Sequence, residues 1–204
     1  MGLVVSVGIE RQVLGYDEEA VAHYRSQFGA LSAELAKTGI TWAEPDATAD
    51  LPSSRARLVG FGYSTVHYLR RVYALQARDD EVTPVPPGEE LDDEPEDEEI
   101  YNLSSHLVCH SDCDGYYIPV DFDDPLYLDT GSVGSSQRLL RELADCARHI
   151  GITLSEDGTL SDEEAARVAN GAADSPYPNE WDAWLALFEA ARISIATGHA
   201  VVFH

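Results

Sequence analysis

Apolar residues return at two distinct periods along this chain, and the switches between them mark out the elements. Leu3 to Val7 is a short β-rich apolar run, predicted to be a buried strand. From Asp17 the period changes. Val21, Tyr24, Phe28, Leu31 and Leu35 recur at spacings of three and four, so a helix is expected with one stripe on the core. Acids Asp17, Glu18 and Glu19 open it, where the helix dipole favours negative charge, and Gly39 closes it. A polar loop with Pro45 and Pro52 follows over residues 43–54. A second helix is predicted from Ser64 to Ala77, with Val66, Leu69, Val72 and Tyr73 inward.

Order returns at Ile100. His106–His110 and Tyr116–Phe122 are expected as two strands, joined by a turn that ends at Gly115. Ser135 or Ser136 caps a third helix, whose face is Leu139, Leu140, Leu143, Ala147 and Ile150; Gly151 stops it. Ser161 and Glu164 form a capping box ahead of a short helix to about Asn170. Asn179 is expected to cap a last helix lined by Trp181, Trp184, Leu185, Phe188, Ala191 and Ile195. Gly198 breaks it before a final strand, Ala200 to Phe203. The pattern predicts one α+β domain over 1–204: a small mixed sheet covered by about four to five helices.

Composition adds limits. The 204 residues are 44 % hydrophobic, enough to build a core. No apolar run approaches the ~20 residues that span a bilayer, and the N-terminus has no basic start of the kind a signal peptide carries. Cys109, Cys113 and Cys146 read as reduced thiols of a cytoplasmic protein.

Charge changes the picture most. The net charge is −24, and its distribution is uneven. Between Arg78 and Arg138 lie 18 acids and no Lys or Arg, whereas the rest of the chain has 19 acids against 13 bases. Residues 79–99 hold 12 of those acids with Pro84, Pro86, Pro87 and Pro95, a composition that predicts a disorder-like loop interrupting the domain. Such a field repels nucleic-acid phosphates and attracts a basic protein. The expected function is thus a non-enzymatic acidic binding protein. Its partner surface is expected at Glu89, Glu90, Asp92, Asp93, Glu96, Asp97, Glu98 and Glu99. Asp121, Asp123 and Asp124, with Asp112 and Asp114, form a second acidic surface. No nucleic acid, membrane or cofactor is expected.

One segment offers an alternative. His106, Cys109, His110, Asp112, Cys113 and Asp114 are six metal-capable side chains within nine residues. On a continuous strand, His106, His110, Asp112 and Asp114 would share a face suited to zinc or another divalent metal, as in a metal-binding protein or metal-dependent hydrolase. The plainer reading makes Cys109 and Cys113 small core residues, Asp112 and Asp114 turn formers, and Gly115 the supplier of a positive φ. No catalytic signature accompanies either reading.

The stretch from His106 to Pro119, followed by Gly134 to Leu140, resembles a group of small acidic proteins of high-GC actinobacteria, over the C-terminal half of the chain. Size, charge and the lack of a catalytic motif also resemble bacterial immunity and antitoxin proteins in type. That likeness implies an immunity-like inhibitor that neutralises a basic toxin or enzyme.

Overall fold

The computed structural model describes residues 3–47, 50–86, 88–92 and 94–204; Pro87 and Asp93 of the acidic segment lie outside these. The strands are β1 (Leu3–Val7), β2 (Val59–Phe61), β3 (Gly115–Ile118), β4 (Leu126–Leu128), β5 (Gly131–Ser135) and β6 (Val201–Phe203). They form one sheet in the order β2-β1-β6-β3-β5-β4. Only β3 and β5 run parallel; every other pair is antiparallel. The fold is α+β with a mixed sheet, as expected, and the terminal strands are neighbours: Ser6 pairs with Val202.

The described residues form seven α-helices, more than the four to five expected: α1 (Ile9–Val13), α2 (Glu18–Lys37), α3 (Tyr63–Ala77), α4 (Glu94–Ile100), α5 (Ser136–Ala147), α6 (Asp162–Gly171) and α7 (Pro178–Thr197). Among them no helix is long and apolar enough to cross a membrane. The caps follow the local chemistry. Asp17 accepts from the Ala20 amide at 2.9 Å, Ser135 from Arg138 at 3.2 Å and Ser161 from Glu164 at 3.1 Å. Glu164 does not complete a capping box, because its carboxylate turns to Arg167 and the Thr153 amide. At α7 the cap is Tyr177, with Pro178 in the first turn, and not Asn179.

Strand alternation divides the core in two. Val5, Tyr117, Val201 and Phe203 face a cluster built with α3, α5, α6 and α7. Tyr116, Ile118, Val133 and Val202 face the other side, against Phe28, Leu31 and Leu35 of α2. α7 is buried along nearly its whole length, and its indoles satisfy their N–H groups on carbonyls of Ile150 (Trp181) and Leu143 (Trp184), each at 2.7 Å.

Two further expectations fail for identifiable reasons. Residues 106–110 are turns, not a strand, because side chains claim the backbone groups a ladder would use. Glu142 accepts from the amides of His106 (2.8 Å) and Leu107 (2.7 Å), while Arg70 donates to the carbonyls of Leu107 (3.0 Å) and His110 (2.6 Å). Likewise the loop of 79–99 is not wholly irregular: its end is α4. Acids in the first turn suit the helix dipole, Asp92 accepts from the Glu94 amide at 3.2 Å, and Pro95 sits where its missing N–H costs nothing.

Candidate functional site

Helical periodicity sorts the acids of α4 into two sets. Glu96 and Glu99, three apart, turn inward with Pro95 and are buried; Glu94, Asp97 and Glu98 face solvent. Glu96, Asp97, Glu98 and Glu99 were all expected on the partner surface, but burial takes Glu96 and Glu99 off it, and Glu94, not among the expected residues, faces solvent. Glu99 accepts from the Asn102 amide group at 2.8 Å.

Glu96 belongs to an ion cluster with α3. His67 donates through Nδ1 to Glu96 at 2.9 Å and through Nε2 to Asp112 at 2.9 Å. Arg70, almost wholly buried, donates to Asp112 and, at 3.4 Å, to Glu96. Hydrogen bonds to Asp112, then Glu96, outweigh burial and lift the imidazole to about 10, so His67 is a cation. Burial opposes the charge on Asp112, but His67 and Arg70 prevail and hold it at about 2. Two cations and two carboxylates thus balance, and they rivet α4 to α3 and to the 106–113 segment.

Outside this cluster several carboxylates of the acidic segment stand uncompensated. Glu89, Glu90, Asp92, Glu94 and Asp97 are exposed, and among the described residues no cation pairs with them. Glu98 and Asp80 share Arg78. The second acidic surface is different. Asp121 pairs with Arg138 and Arg141, each at 2.8 Å, and Arg141 above all holds its pKa down; Asp123 pairs with Arg138. Only Asp114 and Asp124 remain exposed there without a cation among the described residues.

The metal-capable residues are not brought together. His106 Nδ1 accepts from the Ser135 amide at 2.9 Å and Nε2 donates to the Asp123 carbonyl at 3.1 Å, which fixes its tautomer; burial lowers its pKa. His110 stacks on Tyr117 with ring centroids 4.1 Å apart, its nitrogens against the carbonyls of Ser111 and Tyr116, and burial drives its pKa down to about 4. Asp112 sits in the ion cluster, and Asp114 faces solvent. Cys109 is buried but Cys113 is exposed. Among the described residues, no group of three or more His, Cys, Asp or Glu side chains is placed to hold a metal ion.

Three residues that hold the site together carry no mark in the sequence pattern of the acidic segment: His67, Arg70 and Glu142. The signal for Arg70 was present, since it interrupts the apolar face of α3 beside Leu69 and Tyr73, where an inward cation requires partners. Glu142 lies next to Leu143 on the buried face of α5. Burial raises it to about 7 although Ser105, His106 and Leu107 all donate to it.

Between α3, α4 and the walls formed by residues 108–113 and 127–132 lies an open cleft of about 1080 Å³. Glu89, Glu90 and Asp97 stand on its rim; Leu91, Ile100 and Tyr127 supply its apolar lining. The acidic ridge and this cleft are continuous along α4.

A family model described as "Putative DNA-mimic protein" matches residues 1–203, and the chain belongs to that family. No curated protein and no solved structure matches. The family overturns the expected toxin partner and immunity role, which rested on charge and size: acidity of this kind is the property of a DNA mimic, and nothing in the match concerns toxins.

Proposed function

We propose that this member of the DNA-mimic family binds a DNA-binding protein by presenting carboxylates where that protein expects phosphates. The observation that carries this reading is the division of α4: Glu96 is spent on holding the helix, while Glu94, Asp97 and Glu98 project from a fixed backbone. Glu98 shares Arg78, so the unpaired charges of the helix are Glu94 and Asp97; at a rise of ~1.5 Å per residue they stand roughly 4.5 Å apart along the axis, comparable to the ~3.4 Å per charge along one strand of duplex DNA. Glu89, Glu90 and Asp92 extend the array. A preorganised array loses less entropy on binding than a mobile acidic tail. In this reading the chain works as one α+β domain with 79–99 as its insertion, needs no cofactor, and meets its partner in the cytoplasm.

Proteins of the host cell retained on immobilised duplex DNA provide the test. The wild-type chain is expected to elute a defined protein, at concentrations where polyglutamate of equal charge elutes nothing. The variant Glu89→Gln/Glu90→Gln/Glu94→Gln/Asp97→Asn is expected to lose that elution. Elution by polyglutamate as readily as by the chain, or full activity in the variant, would sink the reading.

A further inference from the structure

We infer that the cleft beside α4 seats an extended arginine-rich arm of the partner, in which arginines alternate with aliphatic residues. This rests on the DNA-mimic reading and specifies how that partner docks. The cleft joins two surfaces that a bare phosphate imitation would not need together. Its lining includes Glu89, Glu90, Glu96, Asp97 and Asp112 against the cations His67 and Arg70, a net of −3. Both cations are already engaged by Glu96 and Asp112, so the free charge is that of the rim acids, Glu89, Glu90 and Asp97.

Apolar surface lies inside that rim. Ile100 is 37 % exposed and Tyr127 58 %, and both line the same cleft, so their apolar surface is gathered inside the acidic rim rather than scattered. Tyr127 is not loose: its hydroxyl donates to the Cys109 carbonyl at 2.9 Å, which holds the ring in the cleft wall.

An arginine suits both surfaces. Its methylene stem packs on apolar groups while the planar guanidinium reaches the rim carboxylates in bidentate fashion or stacks on an aromatic ring. Lysine, a strongly hydrated point charge, gains less from the lining. Aliphatic residues between the arginines would cover Ile100 and Leu91. Basic arms of DNA-binding proteins present this chemistry to a groove.

Fluorescence anisotropy with a labelled peptide alternating arginine and isoleucine tests this on the full chain, against oligolysine of equal charge. The wild type is expected to prefer the arginine peptide by about tenfold or more, a difference of about 1.4 kcal/mol. The rim variant Glu89→Gln/Glu90→Gln/Asp97→Asn should lose affinity for both peptides. A variant of the lining, Ile100→Ser/Tyr127→Ser, should lose the preference while still binding oligolysine. A distant variant of equal charge change, Glu156→Gln/Asp157→Asn/Glu163→Gln, should change neither. Equal binding of the two peptides by the wild type, or equal losses in rim and distant variants, would overturn the arm proposal. Elution from duplex DNA would in that case still stand or fall separately. Circular dichroism confirms that each variant is folded.

Discussion

His67 of α3 donates its Nδ1 proton to Glu96 of α4 at 2.9 Å, and this contact converts an acidic stretch of chain into a positioned helix. With Arg70 and Asp112 it forms a cluster in which no charge is left over. Its worth lies in fixing where the outward carboxylates point.

Removing one member should therefore be costly. Arg70→Met leaves Glu96 and Asp112 with His67 alone, and a loss of about 3–5 kcal/mol is expected in urea denaturation. Adding Glu96→Met to it should recover part of that loss, because one uncompensated buried carboxylate is removed. A double variant less stable than Arg70→Met would contradict the cluster's role.

The same cluster sets outer limits of pH. The pKa of His67 rises from 6.5 to about 10, so its stabilisation is complete below 6.5 and disappears as pH climbs through 10. That of Asp112 falls from 3.8 to about 2, so its contribution is complete above 3.8 and is lost as pH drops through 2. Among the groups that titrate between these limits, Glu142 and His110 oppose each other. Burial raises Glu142 from 4.5 to about 7, which makes the fold more stable as pH falls from 7 towards 4.5. Burial lowers His110 from 6.5 to about 4, which makes it less stable as pH falls over nearly the same window. The contributions of these two groups should thus largely cancel there. Glu142→Gln should expose the histidine, with unfolding midpoints that decline steadily as pH falls from 6.5 to 4; a flat profile in that variant would contradict the assignment.

Gly134 lies under the ring of Tyr117, where an added Cβ would collide with the ring carbons. Tyr117 stacks on His110 and donates to the His106 carbonyl at 2.8 Å, so it has nowhere to retreat. Gly134→Ala should cost about 1–3 kcal/mol, read as a lower thermal midpoint. An unchanged midpoint would mean the β3–β5 pair is softer than its packing implies.

Asp79 ends α3 at a φ of 60°, a left-handed conformation that an L side chain adopts at a cost. Its amide donates to the Gln76 carbonyl at 3.1 Å and that of Asp80 to Leu75 at 2.9 Å, the bonding of a helix terminus suited to glycine. Asp79→Gly should stabilise the protein by about 0.5–1 kcal/mol in urea denaturation. Destabilisation would mean the carboxylate has a role at that terminus.

Much of the framework was determined locally. β1, α2 and α5 appear where apolar spacing places them, and Asp17, Ser135, Ser161, Gly151 and Gly198 cap or close helices because capping needs only a few consecutive residues. The acidity of 79–99 was equally plain, since charge adds without regard to fold. Which carboxylates face outward was decided only in three dimensions. Glu96 was indistinguishable from Asp97 until His67 and Arg70, more than twenty residues earlier, came to lie beneath it. Asp121 looked free until α5 brought Arg138 and Arg141 across to it. The run from His106 to His110 reads as a strand until Glu142 and Arg70 occupy its backbone groups. In each case a polar group entering low dielectric must find a partner, and the partner's position along the chain is set by packing rather than by proximity in sequence.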